Sequence, residues 1–320
     1  MVHEAMPSVT STAAIQRRAS STIRREERHG QFVYVKRYVE GDQLRPWDVV
    51  QARTAREAEL VTRAAALHAM RRRLGVPRIV YCDPAAAELV TAEIAGRPLD
   101  ELLRGSMRGM RSGECRRALF LAGRWLRAFQ MLAVRDGDRR RITRGDDDLV
   151  EYCAARIEAV ARHGYPWPGR GRATQILNPL RHLRRQADGA DRRLVWAHHD
   201  YGPFNVMWDG RRLTAIDFAM CELDYPLADV TNFVHRLEML GLQSPWRCCP
   251  IAAWRRAFLR GYGRAGAAAS PMYRALMIRH LLCRLQSLVR RPATSWRATC
   301  HNAWLRAAVR RKLTAIAELD

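Results

Sequence analysis

Lysine is nearly missing from this sequence, although basic residues are abundant. Of the 55 lysine and arginine residues, only Lys36 and Lys312 are lysines, and the formal net charge is +23. A surface built to bind polyanions is normally a cluster of basic residues, whereas the arginines here are spread along the whole chain. The charge is compatible with an anionic partner such as nucleotide, phospholipid or nucleic acid. Its even spread, however, favours a general enrichment of the sequence in arginine over a dedicated surface for polyanions.

Paired cysteines and long apolar runs are also absent. The eight cysteines contain no Cys-x-x-Cys pair, and a chain of 320 residues does not need disulfides to fold, so the pattern indicates a reducing cytosol. No eighteen consecutive apolar residues could span a membrane, and residues 1–21 contain no secretory h-region. We therefore expect a cytoplasmic protein, with peripheral contact to an anionic membrane surface left open. The sequence carries no signal for an oligomeric state.

The first third of the chain is rich in strand signals. Strands are predicted over 22–28 and 31–39, joined by a hairpin at His29-Gly30, and again over 79–81 and 88–94. Between these two pairs, apolar spacing predicts a helix over 49–74. Residues 1–21 are rich in Ser, Thr and Ala and are expected to be flexible.

After Ala95-Gly96-Arg97-Pro98 the chain becomes mostly helical. Apolar residues recur with helical spacing over 116–132, 148–162, 174–187, 254–262, 272–291 and 303–319. Strands are predicted over 194–196, 206–208 and 213–216. The fold class predicted is α+β, with a small antiparallel-sheet lobe over 22–95 and a large helical lobe over 96–320.

The strongest chemical signal is the stretch His198-His199-Asp200-Tyr201-Gly202-Pro203-Phe204-Asn205. Phosphoryl transfer needs a carboxylate that orients the attacking hydroxyl and oxygen ligands for magnesium. Asp200, Asn205 and Asp217 supply such groups. The alternative interpretation is a polar turn beside an ordinary hairpin.

The position of Asp217 favours the catalytic interpretation. The strands predicted over 206–208 and 213–216 flank Asp209-Gly210, a two-residue hairpin signal. Because the chain folds back there, we expect Asn205 and Asp217 to meet at the open end of the hairpin, where one metal could use both.

Residues 197–205, Ile216-Asp217-Phe218 and residues 224–229 together resemble the aminoglycoside phosphotransferase and choline kinase superfamily, which has a bilobal protein-kinase-like fold. The resemblance covers residues 22–265. It implies that Asp200 is the catalytic base, that Asn205 and Asp217 bind magnesium, and that Asp229 is a buried residue bracing the catalytic loop. Since Asp200 takes the base role, we assign His198 to support of the loop.

The same resemblance requires a strand lysine that binds the nucleotide phosphates and a helix glutamate that holds it. Lys36 lies on a predicted strand. Glu57 lies three and four residues before apolar residues 60 and 61, whereas Glu59 faces Arg63 in a solvated i,i+4 pair. We therefore choose Glu57 as the partner of Lys36.

Residues 89–96 resemble the nucleotide hinge of this superfamily, which implies that backbone groups of Ala92 and Ile94 contact adenine. Beyond the metal ligand, Glu222 and Asp224 could bind a cationic acceptor, or they could be surface turn residues. Trp125, Trp167, Trp246 and Trp254 could line an acceptor pocket, although aromatic residues at such positions are more often core.

Two departures separate this chain from protein kinases: no Gly-x-Gly-x-x-Gly precedes Lys36, and no Ala-Pro-Glu segment follows Asp217. We therefore predict an ATP- and Mg²⁺-dependent small-molecule kinase that phosphorylates a hydroxyl of an aminoglycoside-like compound, an amino alcohol or a sugar. The alternatives are a kinase of lipopolysaccharide core or other saccharides, which the strand at 34–38 also resembles, and a catalytically silent kinase-like binding protein. Specific nucleic-acid binding has no supporting motif.

Overall fold

A computed structural model describes residues 16–18, 21–39, 46–68, 72–106, 112–139, 148–165, 172–243, 249–290 and 294–318. The contacts divide the chain into two compact units. The first comprises residues 1–99 and 204–221, and the second comprises residues 100–203 and 222–320. Most of the predicted flexible segment, 1–21, lies outside the described residues. The hairpin that carries Asn205 and Asp217 thus groups with the N-terminal elements.

The elements of the described residues follow in chain order. The strands are β1 (Gln16–Arg18), β2 (Ser21–Arg28), β3 (Gln31–Tyr38), β4 (Leu74–Gly75), β5 (Ile79–Asp83), β6 (Glu88–Ala92), β7 (Arg97–Pro98), β8 (Val195–Ala197), β9 (Val206–Trp208), β10 (Leu213–Ala215) and β11 (Glu222–Asp224). The helices are α1 (Trp47–His68), α2 (Leu99–Ser106), α3 (Ser112–Phe129), α4 (Asp136–Arg139), α5 (Asp148–Arg162), α6 (Arg172–Gln186), α7 (Gly189–Arg192), α8 (Leu227–Gln243), α9 (Ile251–Tyr262), α10 (Pro271–Arg290) and α11 (Trp296–Ala317).

The main sheet of the first unit is antiparallel, with strand order β1-β2-β3-β6-β5. The predicted hairpin between β2 and β3 is confirmed: Arg28 pairs with Gln31, and His29 and Gly30 have φ of 50° and 72°. Positive φ at both turn residues matches the twist of a two-residue hairpin. Along β3, Val33 and Val35 are buried with Val90 of β6.

A second sheet of this unit has strand order β4-β10-β9-β7. The predicted helix end at residue 74 is wrong, because α1 ends at His68 and Leu74 pairs with Leu213 in β4. The β9–β10 hairpin is confirmed with a four-residue loop instead of two. Within that loop the carboxylate of Asp209 accepts hydrogen bonds from the amides of Arg211 and Arg212, which closes the turn.

The second unit is mostly helical, as predicted, but the sequence prediction missed α8. Buried residues of α8 include the polar Asp229 and Asn232 as well as apolar ones such as Phe233. The helix therefore lacks the clear division into a buried apolar face and a solvated polar face that makes a helix visible in a sequence. No helix of the described part of the chain is long and apolar enough to cross a membrane.

Helices α3 and α9 approach each other closely in this unit. A Cβ atom on Gly123 would collide with the carbonyl oxygen of Phe258, and one on Gly261 with that of Phe120. Trp125 and Trp254 are fully buried core residues, so neither has the exposure of a pocket wall. Residues 167 and 246, the other two tryptophans considered for an acceptor pocket, lie outside the described residues.

A buried histidine, His235, and a partly buried one, His280, face each other between α8 and α10. The rings of His235 and His280 stack with centroids 6.0 Å apart, and Nε2 of His280 lies 3.1 Å from the hydroxyl of Thr231. Burial lowers the pKa of both, to about 3 for His235, and the neighbouring charges of Arg236, Lys312 and Arg284 lower the pKa of His235 further. Both rings are therefore neutral in the folded protein.

This pair predicts acid destabilisation. Below about pH 6.5 the unfolded chain protonates both histidines while the folded protein does not, so the free energy of unfolding should fall by about 1.4 kcal/mol per pH unit for each proton. Urea unfolding at pH 7 and pH 5 measures this slope. His235→Phe, which keeps a ring in place, should reduce the slope, and His182→Gln at an exposed position should not. Equal slopes in all three proteins would contradict the expectation.

Candidate active site

A buried ion cluster occupies the first unit. The ammonium of Lys36 on β3 donates to both carboxylate oxygens of Glu57 on α1 at 3.1 Å, and to Oδ1 of Asp217 at 2.7 Å. Burial acts to lower the pKa of Lys36, but the two carboxylates outweigh it and the pKa is raised. Lys36 therefore stays cationic. The contact predicted between Lys36 and Glu57 is present, and Glu59 pairs with Arg63 at 3.3 Å.

The sequence prediction overlooked Tyr38, the fourth polar member of this cluster. Its buried hydroxyl donates a short hydrogen bond to Oε2 of Glu57. Lys36 lies 4.8 Å from the centroid of the Tyr38 ring, and Arg53 of α1 lies 5.4 Å from it. Successive side chains of β3 point to opposite faces of the sheet, so Tyr38 shares a face with Lys36 two residues earlier. This spacing is the sequence signal that could have revealed Tyr38.

Arg53 also connects α1 to the segment that follows Asp217. Its Nε donates to the carbonyl oxygen of Ala219 at 2.9 Å, in the short 3-10 turn Phe218–Met220. Asp217 itself has φ of 66°, a left-handed conformation that is costly for a residue with a side chain. Contacts on both sides, from Lys36 and from Arg53, hold this strained segment.

Asn205 and Asp217 both lie at the open end of the β9–β10 hairpin, as predicted. Val206 pairs with Ala215, and the amide of Ile216 donates to the carbonyl oxygen of Asn205 at 3.0 Å. Magnesium binds through one or two protein oxygens and completes its shell with water and substrate phosphates. The side-chain oxygens of Asn205 and Asp217 fit that requirement in number and chemistry.

The loop that contains Asp200 belongs to the second unit and follows β8. The buried carboxylate of Asp229, in the first turn of α8, accepts hydrogen bonds from the amides of His198 at 2.6 Å and His199 at 2.8 Å. Burial raises the pKa of Asp229 to about 7, although the two amides oppose the shift. One turn later, Nδ2 of Asn232 donates to the carbonyl oxygen of His199 at 3.3 Å.

The two histidines before Asp200 have different surroundings. His198 is fully buried, with its ring edge-on to Trp125 at a centroid distance of 6.4 Å. His199 is also largely buried, and its Nε2 lies 3.6 Å from a carboxylate oxygen of Asp224. The left-handed backbone of His199, with φ of 61°, turns the chain into residue 200.

Asp224 and Asp200 each have an arginine partner. Asp224 is buried and accepts from Nη1 of Arg279 at 2.9 Å, so it is neither a surface turn residue nor an open site for a cation. The carboxylate of Asp200 is one-third exposed and lies 3.6 Å from Nη2 of Arg236 on α8. No sequence pattern pointed to either arginine, since both contacts are between distant parts of the chain.

Comparison with known proteins settles the family. The sequence profile of the phosphotransferase enzyme family matches residues 14–276. This chain belongs to the phosphotransferase enzyme family. The superfamily resemblance, the α+β protein-kinase-like fold and the enzyme class predicted from the sequence are therefore confirmed. Among proteins with curated functions, no sequence matches this phosphotransferase.

Several solved structures share the fold of the phosphotransferase. A thermostable mutant of aminoglycoside phosphotransferase APH(4)-Ia is 17% identical, with a TM-score of 0.60 over 97% of this chain and 95% of that one. A choline/ethanolamine kinase family protein from Mesorhizobium loti is 13% identical, with a TM-score of 0.55 over 96% and 93%. An ethanolamine kinase from Plasmodium vivax is 11% identical, with a TM-score of 0.56 over 93% and 83%.

The Asp229 hydrogen bonds should matter for the stability of the phosphotransferase. In Asp229→Asn, the side-chain amide would face one of the two backbone amides, so a buried donor would lose its acceptor and stability should fall by about 1–3 kcal/mol. Chemical denaturation at pH 8 measures this loss. Asp188→Asn, at an exposed position, is the control and should change stability by less than about 0.5 kcal/mol. A similar small change for Asp229→Asn would contradict the expectation.

The Tyr38 hydroxyl should contribute to the ion cluster. Tyr38→Phe removes one donor from a buried carboxylate, and a hydrogen bond to a charged group contributes about 1.5–3 kcal/mol. We expect a loss of that size in the free energy of unfolding. Tyr34→Phe, an exposed position on the same strand, is the matched control. If both substitutions had the same small effect, the Tyr38 bond would not support the cluster.

Proposed function

We propose that this phosphotransferase transfers the γ-phosphate of ATP, in the presence of Mg²⁺, to a hydroxyl group of a small molecule. The observation that carries the proposal is the largely buried Lys36 held between Glu57 and Asp217. A cation kept charged at such a position is costly to bury unless it serves a bound anion or a stable ion pair. A triphosphate is the anion that this family of enzymes uses.

On the nucleotide side, Lys36 would contact the phosphates, and Glu57 would hold the ammonium in position with the help of Tyr38. Asn205 and Asp217 would bind Mg²⁺, which neutralises the charge that develops on the phosphate oxygens. Lys36 and Asp217 are in contact in the structure, so phosphate oxygens and metal would meet adjacent groups of one preformed cluster.

The adenine would lie against residues 92–94. The amide of Ala92 donates to the carbonyl oxygen of Arg78 at 2.9 Å, so a contact from Ala92 to adenine would come from its carbonyl oxygen. The amide of Ile94 would supply the complementary donor. Gly96, with φ of 104°, lies against the backbone of Trp208 where a Cβ atom would collide, which fixes the path of the chain just after this segment.

On the acceptor side, Asp200 would orient the attacking hydroxyl. The acceptor oxygen forms a bond to the γ-phosphorus, the bond from that phosphorus to the β–γ bridging oxygen breaks, ADP leaves, and the hydroxyl proton passes to the Asp200 carboxylate. Asp229 and His198 would support the loop, the first through its two amide hydrogen bonds and the second through its packing on Trp125.

Related structures are consistent with a hydroxyl-bearing acceptor. One is a ternary complex of aminoglycoside phosphotransferase APH(4)-Ia with AMP-PNP and hygromycin B, 16% identical with a TM-score of 0.58. We keep saccharide kinase as the second candidate, since a sugar hydroxyl is chemically the same nucleophile. The acceptor panel below includes both classes.

Substitution of the two aspartates tests the proposed function. Asp200→Asn should reduce turnover by about 10²–10⁴-fold while magnesium-dependent nucleotide binding is kept. Asp217→Asn should abolish the magnesium dependence of that binding, because a metal ligand is lost. The measurements are ADP release and calorimetric titration with AMP-PNP, over aminoglycosides, amino alcohols, neutral sugars, sugar acids and sugar phosphates.

Two results would count against the proposal. Unchanged turnover of Asp200→Asn at saturating ATP and Mg²⁺ would exclude Asp200 as the group that orients the hydroxyl. Nucleotide binding by the unmodified protein without ADP release on any acceptor would favour a silent kinase-like binding protein. Asp188→Asn should behave as the unmodified protein in both measurements.

A further inference from the structure

One face of α8 organises the loop around Asp200. Asp229, Asn232 and Arg236 are spaced three and four residues apart, so they lie on the same side of the helix. Asp229 binds the two amides before residue 200, Asn232 binds the carbonyl oxygen of His199, and Arg236 approaches the Asp200 side chain itself. The contacts of Asp229 and Asn232 are with backbone groups of the loop. The contact of Arg236 is with the side chain of Asp200, so this residue places a positive charge near that carboxylate.

Arg236 approaches the carboxylate of Asp200 from a half-exposed position. Its Nη2 lies 3.6 Å from Oδ1 of Asp200, and the two side chains are 45% and 33% exposed. A strong charged hydrogen bond would be at about 2.7–2.9 Å, and exposed ion pairs contribute little to stability. The guanidinium is therefore a half-exposed cation beside the carboxylate that the proposed function assigns to the acceptor hydroxyl.

Glu222, just before α8, is exposed, but the carboxylates of Asp224, Asp229 and Glu238 are already bonded within the second unit. Asp224 is bonded to Arg279 at 2.9 Å, and Glu238 to Arg255 at 3.7 Å and Lys312 at 2.5 Å. Asp229 is buried on its two amides. A polycationic acceptor would meet Arg236 in a chain of net charge +23, and like charges at close range are repelled.

We propose that the acceptor carries an anionic oxyacid group, a carboxylate or a phosphate, close to the hydroxyl that is phosphorylated, and that Arg236 binds this group. A guanidinium presents two parallel N–H donors that match the oxygens of either group. The anion would then lie next to the hydroxyl that the carboxylate of Asp200 orients. This inference rests on the proposed function, because it assigns Asp200 to the acceptor hydroxyl.

The test compares acceptors of one skeleton that differ in charge. ADP release is measured with glucose, glucuronate, glucose 6-phosphate and glucosamine, and with glycerol, glycerate, glycerol 3-phosphate and serinol. We expect a higher kcat/KM for the anionic members of each set than for the neutral and cationic members. The carboxylate and phosphate members show which of the two oxyacids is preferred.

Arg236→Gln should reduce kcat/KM for the anionic acceptors by about 10- to 100-fold, the range for loss of a charge-assisted hydrogen bond, with less than about a threefold change for the neutral ones. Arg236→Lys should have a kcat/KM for the anionic acceptors between those of Arg236→Gln and the unmodified protein, since lysine keeps the positive charge but lacks the two parallel N–H donors. Arg255→Gln is the matched control, because it removes one arginine of similar exposure, 41%, from α9. All three variants should keep the thermal midpoint of the unmodified protein within about 2 °C, since the two arginines are 45% and 41% exposed.

Three results would overturn the inference. One is a preference for neutral or cationic acceptors over their anionic counterparts. Another is an equal loss of turnover on all acceptors in Arg236→Gln, which would make Arg236 a positioning residue for Asp200. The third is an equal effect of Arg255→Gln. Turnover with the wrong charge preference refutes this inference alone, whereas no turnover on any acceptor refutes the proposed function as well.

Discussion

The ion cluster of Lys36, Glu57 and Asp217 is the constraint on which the first unit depends. A lysine on a strand, a glutamate on a helix and an aspartate after a hairpin come from three separate parts of the chain, and their charges have to be compensated because the site is mostly buried. The pairing fixes the position of α1 against the sheet and of the β9–β10 hairpin against both. Tyr38 and Arg53 add a second layer of contacts to the same elements.

In the second unit, the first turn and one face of α8 hold the loop around Asp200 in place. The loop before and after Asp200 has backbone groups that the short strands leave unpaired, and α8 supplies Asp229 and Asn232 to bond them. Buried polar groups that are fully bonded hold a loop rigidly. A carboxylate with the exposure of Asp200 is then presented by a stiff backbone while its own side chain stays accessible.

The parts of this protein that could be predicted from the sequence are those with a local signature. The hairpin at His29-Gly30, the position of Asn205 and Asp217 at one end of a hairpin and the choice of Glu57 over Glu59 all follow from periodicity or turn chemistry, and the family motif fixed the fold class. Contacts between distant segments have no such signature. The bonds of Tyr38 to Glu57, of Asp224 to Arg279 and of Asp200 to Arg236 depend on how the elements pack, and α8 was missed because its buried residues include polar ones, which hides its period.

The scarcity of lysine limits how the chain can be modified after translation or labelled chemically. Acetylation, ubiquitination and chemical labelling of side-chain amines all need an accessible lysine nitrogen, and this protein has only two lysines. Lys36 is largely buried, bonded to two carboxylates and held protonated by them, so it is a poor nucleophile. Lys312 on α11 is about one-third exposed and is therefore the side chain through which lysine chemistry would reach this enzyme.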